Sequence, residues 1–109
     1  MSSAAVRRYW TRLVADGCWL DGKPAQVAHA HSGSIVIRMQ EPKAKGKKLP
    51  RYDWLVLPLC PECHGELDAG AEAWEARHME QAAIIDCLCR KHDLNLWALA
   101  APTKRSLPP

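Results

Sequence analysis

A dense group of metal-binding residue types lies in the middle of this chain. Cys60 and Cys63 are separated by two residues, His64 follows directly, and Asp68 comes four positions later. Two thiolates at this spacing reach one zinc ion from a single turn of chain. If a helix begins near Pro61, His64 and Asp68 lie on one face of it and can hold an open divalent ion. The segment therefore predicts two adjacent metal centres, a structural zinc held by cysteines and a catalytic ion held by the other two side chains.

The length and composition predict one small domain over residues 1–109, and the order of helices and strands predicted below makes it α+β. The chain is 48% hydrophobic, which is enough for a core, and a structural metal would support a domain of this size. No run of eighteen apolar residues is present, so we expect no membrane association. The start of the chain lacks the apolar segment of a secretory signal, and we therefore expect a cytoplasmic protein whose cysteines bind metal.

Hydrophobic periodicity and turn residues predict an alternation of helices and short strands. We expect a helix over 4–15, a strand over 26–31, strand character or a loop insertion over 35–37, a second strand over 54–57 that Pro58 ends, a helix from Pro61 to Asp68, one longer helix over 71–92, a last helical turn over 96–101 and a flexible tail over 103–109. The order places a hairpin before a short helix, between an N-terminal helix and a long C-terminal one.

A zinc site needs two ligands beyond the C-x-x-C pair. Cys18 is the expected third, because it lies in a similar turn before the first strand, and Asp21 stands where an upstream C-x-x-C would have its second cysteine. Cys87, Cys89 or His78 from the long helix are alternatives to Asp21. A chain without metal would simply bury these thiols. A redox role is disfavoured because no βαβ pattern surrounds the pair.

Two histidines and one aspartate near the predicted hairpin are candidates for chemistry. His29 and His31 alternate along the first strand, so both can lie on one side of it. One of them can act as general base on a water molecule, and the other can bind a metal or contact phosphate. Asp53 precedes the second strand and is expected either to orient a catalytic histidine or to cap a turn.

Basic residues are concentrated in the first part of the chain. Residues 1–61 contain ten Lys and Arg against four Asp and Glu, whereas residues 62–109 contain five against eight. The candidate nucleic-acid contacts are Lys43, Lys45, Lys47, Lys48 and Arg51, with no acid among them. Such a loop fits a polyanion, although a solvated loop kept soluble by charge has the same composition.

Together these residues resemble the HNH endonucleases, which have the ββα-metal fold. Within that superfamily the likeness is to phage and prophage proteins related to the recombination-enhancement nuclease, and it covers about residues 17–90. The matching pieces are Cys18, Ala28-His29, the loop ending at Lys48, Asp53, Pro58-Leu59-Cys60, Cys63-His64, Asp68 and Trp74.

The resemblance implies a role for each matching residue. His29 looks like the general base, His64 looks like the final metal-binding histidine, and Asp68 takes the place of a second one. Cys60 and Cys63, with Cys18, resemble the zinc knuckle. The implied activity is hydrolysis of DNA phosphodiester bonds with a structural Zn²⁺ and a catalytic Mg²⁺, Mn²⁺ or Zn²⁺. The implied partners are DNA and a recombinase filament or another DNA-processing protein of phage or bacterial host.

Three positions depart from the pattern of that family. Asp53 stands near the place of the usual asparagine, and Ala28 stands where many members have an acidic or histidine ligand, for which His31 is the candidate replacement. The upstream knuckle has one cysteine, Cys18, where two are common. A zinc-stabilised DNA-binding or adaptor module without catalysis is therefore the alternative reading.

Overall fold

The computed structural model describes residues 3–40 and 52–104, which form six helices and two strands. In chain order the elements are α1 (Ala4–Ala15), β1 (Gln26–His29), α2 (Gly33–Arg38), β2 (Val56–Leu59), α3 (Pro61–Ala69), α4 (Ala71–Arg77), α5 (Gln81–His92) and α6 (Leu96–Lys104). The two strands pair antiparallel, so this part of the chain is a small α+β domain, as the sequence predicts. None of the helices in these stretches has the length and apolar character needed to cross a membrane.

Helix α1 matches its predicted bounds because local signals define both ends. The Ser3 hydroxyl accepts a hydrogen bond from the Val6 backbone N–H at 3.1 Å, which is a typical N-cap. The helix buries Val6, Tyr9 and Leu13, and it ends before Gly17, whose φ of +84° favours glycine. A β carbon at Gly17 would lie 2.7 Å from a backbone oxygen, so the chain needs glycine here for space as well.

The hairpin places Gln26 opposite Leu59 and His29 opposite Val56. The prediction that the second strand ends at Pro58 is wrong, because β2 runs through Pro58 to Leu59. The Pro58 carbonyl accepts from the Trp19 backbone N–H at 2.8 Å and therefore points away from β1. Proline lacks an N–H only on that outer side, so it removes no hydrogen bond between the strands.

Residues 35–37, predicted as a strand or a loop insertion, lie in α2 instead. The helix begins where the Glu75 carboxylate accepts from the Ser34 backbone N–H at 3.1 Å and from its hydroxyl at 2.6 Å. This cap lies 41 residues away in sequence. A carboxylate at a helix N-terminus stabilises it, and no local pattern reveals such a partner.

The prediction of one continuous helix over 71–92 is wrong, because α4 ends at Arg77 and α5 begins at Gln81. The Gln81 backbone N–H donates to the Glu75 side chain at 3.0 Å, so the Glu75 carboxylate caps the start of α5. Trp74, expected on the same stripe as Leu88, lies in α4 and is fully buried. The same carboxylate thus caps α2 and α5.

The last helix contributes to the core and contacts α5 through a side-chain hydrogen bond. It buries Leu96 and Ala100, and the Trp97 indole N–H donates to Asp86 of α5 at 2.8 Å. Since α6 runs to Lys104, the start of the tail predicted as flexible falls within it, and residues 105–109 lie outside the described part. The core therefore reaches from α1 to α6, beyond the stretch 17–90.

Candidate metal centre and histidine cluster

Cys18, Asp21, Cys60 and Cys63 form a cluster that can hold a metal ion such as zinc. Their four ligand atoms all lie within 4.8 Å of one another. The Asp21 Oδ2 atom is 3.4 Å from the Cys60 sulfur and 3.8 Å from the Cys63 sulfur. Sulfur and oxygen ligands of one tetrahedral zinc lie about 3.6 Å apart, which follows from Zn–S and Zn–O distances of about 2.3 and 2.1 Å. The donor set and its spacing therefore fit zinc.

Short turns position the upstream half of this cluster. The Cys18 backbone N–H donates to the Lys23 carbonyl at 2.7 Å, and the Gly22 N–H donates to the Cys18 carbonyl at 2.9 Å. Asp21 Oδ1 accepts from the Lys23 N–H at 3.0 Å, which leaves Oδ2 facing the sulfurs. This backbone N–H is the main reason why the pKa of Asp21 is lowered, so the carboxylate remains ionised and able to bind a metal.

The downstream half lies at the start of α3. Cys60 is the N-cap residue, and its sulfur accepts from the Cys63 N–H at 3.5 Å. Burial is the largest of the effects that raise the pKa of the Cys63 thiol. A bound zinc reverses this preference because it ligates the thiolate. All five cysteines are free thiols, and Asp21 rather than Cys87 or Cys89 completes the cluster.

His29 and Asp53 form the first of two histidine–carboxylate contacts. The His29 Nε2 atom lies 3.0 Å from Asp53 Oδ1, and the two side chains are 25% and 40% exposed. A carboxylate only accepts, so the Nε2–H donates and Nδ1 keeps a lone pair that can take a proton. The predicted contact of Asp53 with a candidate catalytic histidine is thus present. The catalytic role itself stays a prediction.

Trp10 supports this contact. This role was not predicted from the sequence, where the spacing places Trp10 on the hydrophobic face of α1. Its indole N–H donates to the Asp53 carbonyl at 2.8 Å. Its ring meets the His29 imidazole edge-on at 5.9 Å between centroids. One side chain therefore holds both members of the pair, and only its helical spacing was visible in the sequence.

The second contact joins His31 and His64 through Asp68. His31 Nε2 is 3.1 Å from Asp68 Oδ1, and His64 Nε2 is 3.2 Å from Asp68 Oδ2. The prediction that His64 and Asp68 share a helix face is confirmed, since α3 places them one turn apart. His29 and His31, expected on one side of a strand over 26–31, contact different carboxylates, and β1 ends at His29, so His31 follows the strand.

The outer nitrogens of both imidazoles also have partners. Ser32 Oγ is 3.2 Å from His31 Nδ1, and Gln26 Nε2 is 2.6 Å from His64 Nδ1. A hydroxyl donates or accepts, and a side-chain amide does either after a flip. Both rings can therefore change tautomer and present a free Nε2 to a metal without losing the outer hydrogen bond.

These three residues do not form a closed metal site. Within residues 3–40 and 52–104, the cysteine cluster is the one group of three or more candidate ligands whose atoms all lie within 4.8 Å. Asp68 instead uses one oxygen for each imidazole. A catalytic divalent ion bound by His64 and Asp68 therefore stays a prediction.

Gln81 and Glu75, which were not predicted from the sequence as site residues, fix the backbone of His31. The Gln81 side chain hydrogen-bonds both the N–H and the carbonyl of His31, and Glu75 contacts Gln81. Gln81 lies 50 residues from His31, so no local signal could reveal it.

The predicted basic contacts, Lys43, Lys45, Lys47, Lys48 and Arg51, lie outside the described residues.

The comparisons with known proteins add no relative: no protein-family model, curated protein or solved structure matches this chain.

Proposed function

We propose that this protein is a metal-dependent endonuclease of the HNH type that hydrolyses DNA phosphodiester bonds. The observation that carries the proposal is the contact of Asp68 with both His31 and His64. It joins the chain just after β1 to α3, and His29, two residues before His31, contacts Asp53. Two antiparallel strands followed by this helix have the order of a ββα element, with α2 and residues 41–51 between the strands.

In this proposal the two contacts have separate tasks. His29 Nδ1 removes a proton from the water that attacks phosphorus, while Asp53 holds the ring and stabilises the imidazolium that results. His64 and Asp68 would hold the divalent ion, with His31 as a third ligand. Such an ion would supply Lewis-acid stabilisation of the charge on the phosphate and the leaving oxygen. Nitrogen and carboxylate ligands suit Mn²⁺ or Zn²⁺, and the carboxylate also suits Mg²⁺.

DNA as the partner is proposed on the resemblance and on the basic loop of the sequence. Lys and Arg side chains there would contact phosphates, which gives affinity with little sequence readout. A recombinase filament, or another DNA-processing protein of phage or bacterial host, is proposed on the resemblance alone. Pull-down with an assembled filament tests it, and unbound protein at micromolar concentration counts against it.

A second function has one observation in its favour. Within residues 3–40 and 52–104, the group of candidate ligands whose atoms all lie within 4.8 Å of one another consists of Cys18, Cys60, Cys63 and Asp21, and it does not include the two imidazoles or Asp68. A zinc-stabilised DNA-binding or adaptor module without catalysis would need only the first cluster.

Nicking of supercoiled plasmid distinguishes the two. Protein that retains zinc is freed of weakly bound ions and assayed with Mg²⁺, Mn²⁺ or added Zn²⁺. We expect nicking by the wild type and a loss of about 10²–10⁴-fold in His29→Ala, the range for removal of a general base. His64→Ala should also lose activity, with rate restored in part by excess metal.

His78→Ala is the matched control, because His78 is an exposed histidine between α4 and α5 that belongs to neither contact. It should nick like the wild type. DNA binding without nicking under every metal would favour the adaptor, and full activity in His29→Ala would refute the assigned base.

A further inference from the structure

The Gln81 side chain forms hydrogen bonds with both polar groups of the His31 backbone. Its Oε1 accepts from the His31 N–H at 3.1 Å, and its Nε2 donates to the His31 carbonyl at 2.9 Å. This arrangement resembles the pairing of a neighbouring strand and continues the sheet edge beyond His29. Gln81 is fully buried, and a buried amide is tolerated only with its hydrogen bonds made.

Glu75 fixes the orientation of that amide. Its Oε2 accepts from Gln81 Nε2 at 3.0 Å, from the Gln81 backbone N–H at 3.0 Å and from the Ser34 hydroxyl at 2.6 Å. A flipped amide would place Oε1 against both this carboxylate and the His31 carbonyl, with no donor between them. The contacts therefore determine which end of Gln81 faces His31.

The backbone at Ser32 is strained, and this conformation places the Ser32 hydroxyl near the His31 imidazole. Ser32 has φ of 61° and ψ of −166°, a region used almost only by glycine, which accounts for the strain at this serine. Glycine would relieve the strain but lacks the hydroxyl that lies 3.2 Å from His31 Nδ1. Gly33 follows with φ of +47°, where a β carbon would lie 2.5 Å from the Glu75 carboxylate.

We propose that Gln81, oriented by Glu75, is a positioning residue that sets the His31 imidazole against Asp68. Its two hydrogen bonds hold the backbone of His31, just after β1, in place. The strained Ser32 then places its hydroxyl beside the ring. The ring is thereby held at both nitrogens, with Nε2 towards Asp68 at 3.1 Å. The consequence for catalysis rests on the proposed nuclease function, whereas the positioning itself does not.

Ring ¹⁵N chemical shifts test the positioning without any activity assay, because they report the tautomer and hydrogen bonds of each histidine. In Gln81→Met, which keeps length and loses both hydrogen bonds, we expect the His31 signals to shift or broaden and the His29 signals to stay. Gln26→Met is the matched control: it removes the amide beside His64 and should move the His64 signals while the His31 signals stay.

Nicking kinetics then test the catalytic consequence. We expect Gln81→Met to lower kcat by about tenfold to a hundredfold, the effect of a misplaced group, with KM for DNA unchanged. If the wild type does not nick, the nuclease proposal fails while the ring signals still decide the positioning. Folded Gln81→Met with wild-type His31 signals would overturn the proposal.

Ser32→Gly covers the case in which Gln81→Met does not fold. It relieves the strained φ and removes the hydroxyl, so it should remain folded and still shift the His31 signals. Ser32→Ala keeps the strain and removes the same hydroxyl, and should shift them in the same direction. Unchanged His31 signals in both variants would refute the role of this turn in holding the ring.

Discussion

Replacing Cys60 with serine should have opposite effects on stability with and without zinc. Cys60 is 2% exposed, lies in the cysteine cluster and is also the N-cap residue of α3. Its sulfur accepts from the Cys63 N–H at 3.5 Å, and a serine hydroxyl is a stronger hydrogen-bond acceptor than a thiol. Serine is among the preferred N-cap residues, and a good cap contributes about 1 kcal/mol. As a zinc ligand, however, a serine hydroxyl is far poorer than a thiolate.

The size of the zinc-dependent effect follows from binding linkage. A metal that binds only the folded state stabilises it according to its affinity, so a hundredfold weaker site costs about 2.7 kcal/mol with the ion in excess. For a domain near 100 residues this corresponds to roughly 11–22 °C in Tm. The improved cap offsets about 1 kcal/mol of the loss. With zinc we therefore expect Cys60→Ser to melt well below the wild type, and without zinc we expect it to melt at the same temperature or slightly above.

Calorimetry with and without chelator, together with metal analysis, measures both effects. Cys87→Ser is the matched control, since Cys87 is a half-buried thiol on α5 outside the cluster. It should keep its zinc and its zinc-dependent Tm. Retained zinc and unchanged melting in Cys60→Ser would refute a structural site at this turn.

Three further outcomes test separate contacts. Gly17→Ala should lower the free energy of unfolding by more than about 1 kcal/mol, the cost of a left-handed residue. Gly22→Ala shares the positive φ without the clash and should lose less, so equal losses in chemical denaturation would refute the clash. Burial lowers the pKa of His92, so its contribution to stability is present above pH 6.5, the ordinary value, and is lost as pH falls. His92→Phe should flatten the fall in Tm between pH 7.5 and 5.5, and an unchanged slope would contradict this. Trp10→Phe removes the N–H donor to the Asp53 carbonyl and should slow plasmid nicking without loss of zinc; wild-type nicking would exclude a supporting role.

The elements that the sequence predicts well are those defined by neighbouring residues. The bounds of α1 follow from the Ser3 cap, the apolar spacing and Gly17. The start of α3 follows from Cys60 and Pro61, since proline is favoured in the first turn of a helix. The placement of Asp21 with the cysteines could also be predicted, because it occupies the position that completes a second C-x-x-C pattern.

The elements that it predicts poorly depend on distant partners. Glu75 contacts Ser34 of α2 and Gln81 of α5, and so accounts for both the helix at residues 33–38 and the break after Arg77. Its contact with Ser34 spans 41 residues, beyond the reach of a periodicity argument. Pro58 was misjudged for a related reason. Its effect on a strand depends on which side faces the partner, and only the paired structure defines that side.

The first turn of α3 links the two candidate centres. Cys60 and Cys63 belong to the cysteine cluster, while His64 follows Cys63 directly, and its backbone N–H donates to the Cys60 carbonyl at 2.9 Å. A bound zinc would hold this turn, and with it the His64 imidazole opposite Asp68. Zinc removal should therefore slow nicking, and excess Mg²⁺ should not restore it because Mg²⁺ binds thiolates poorly.

Zinc-depleted protein that remains folded, assayed with saturating Mg²⁺, measures this link. Readdition of one equivalent of zinc should restore the rate, and His64 ring ¹⁵N signals should move with it while those of His29 stay. Full nicking by the zinc-free protein would mean that packing of α3 alone holds His64, and the two centres would then be neighbours without mutual support.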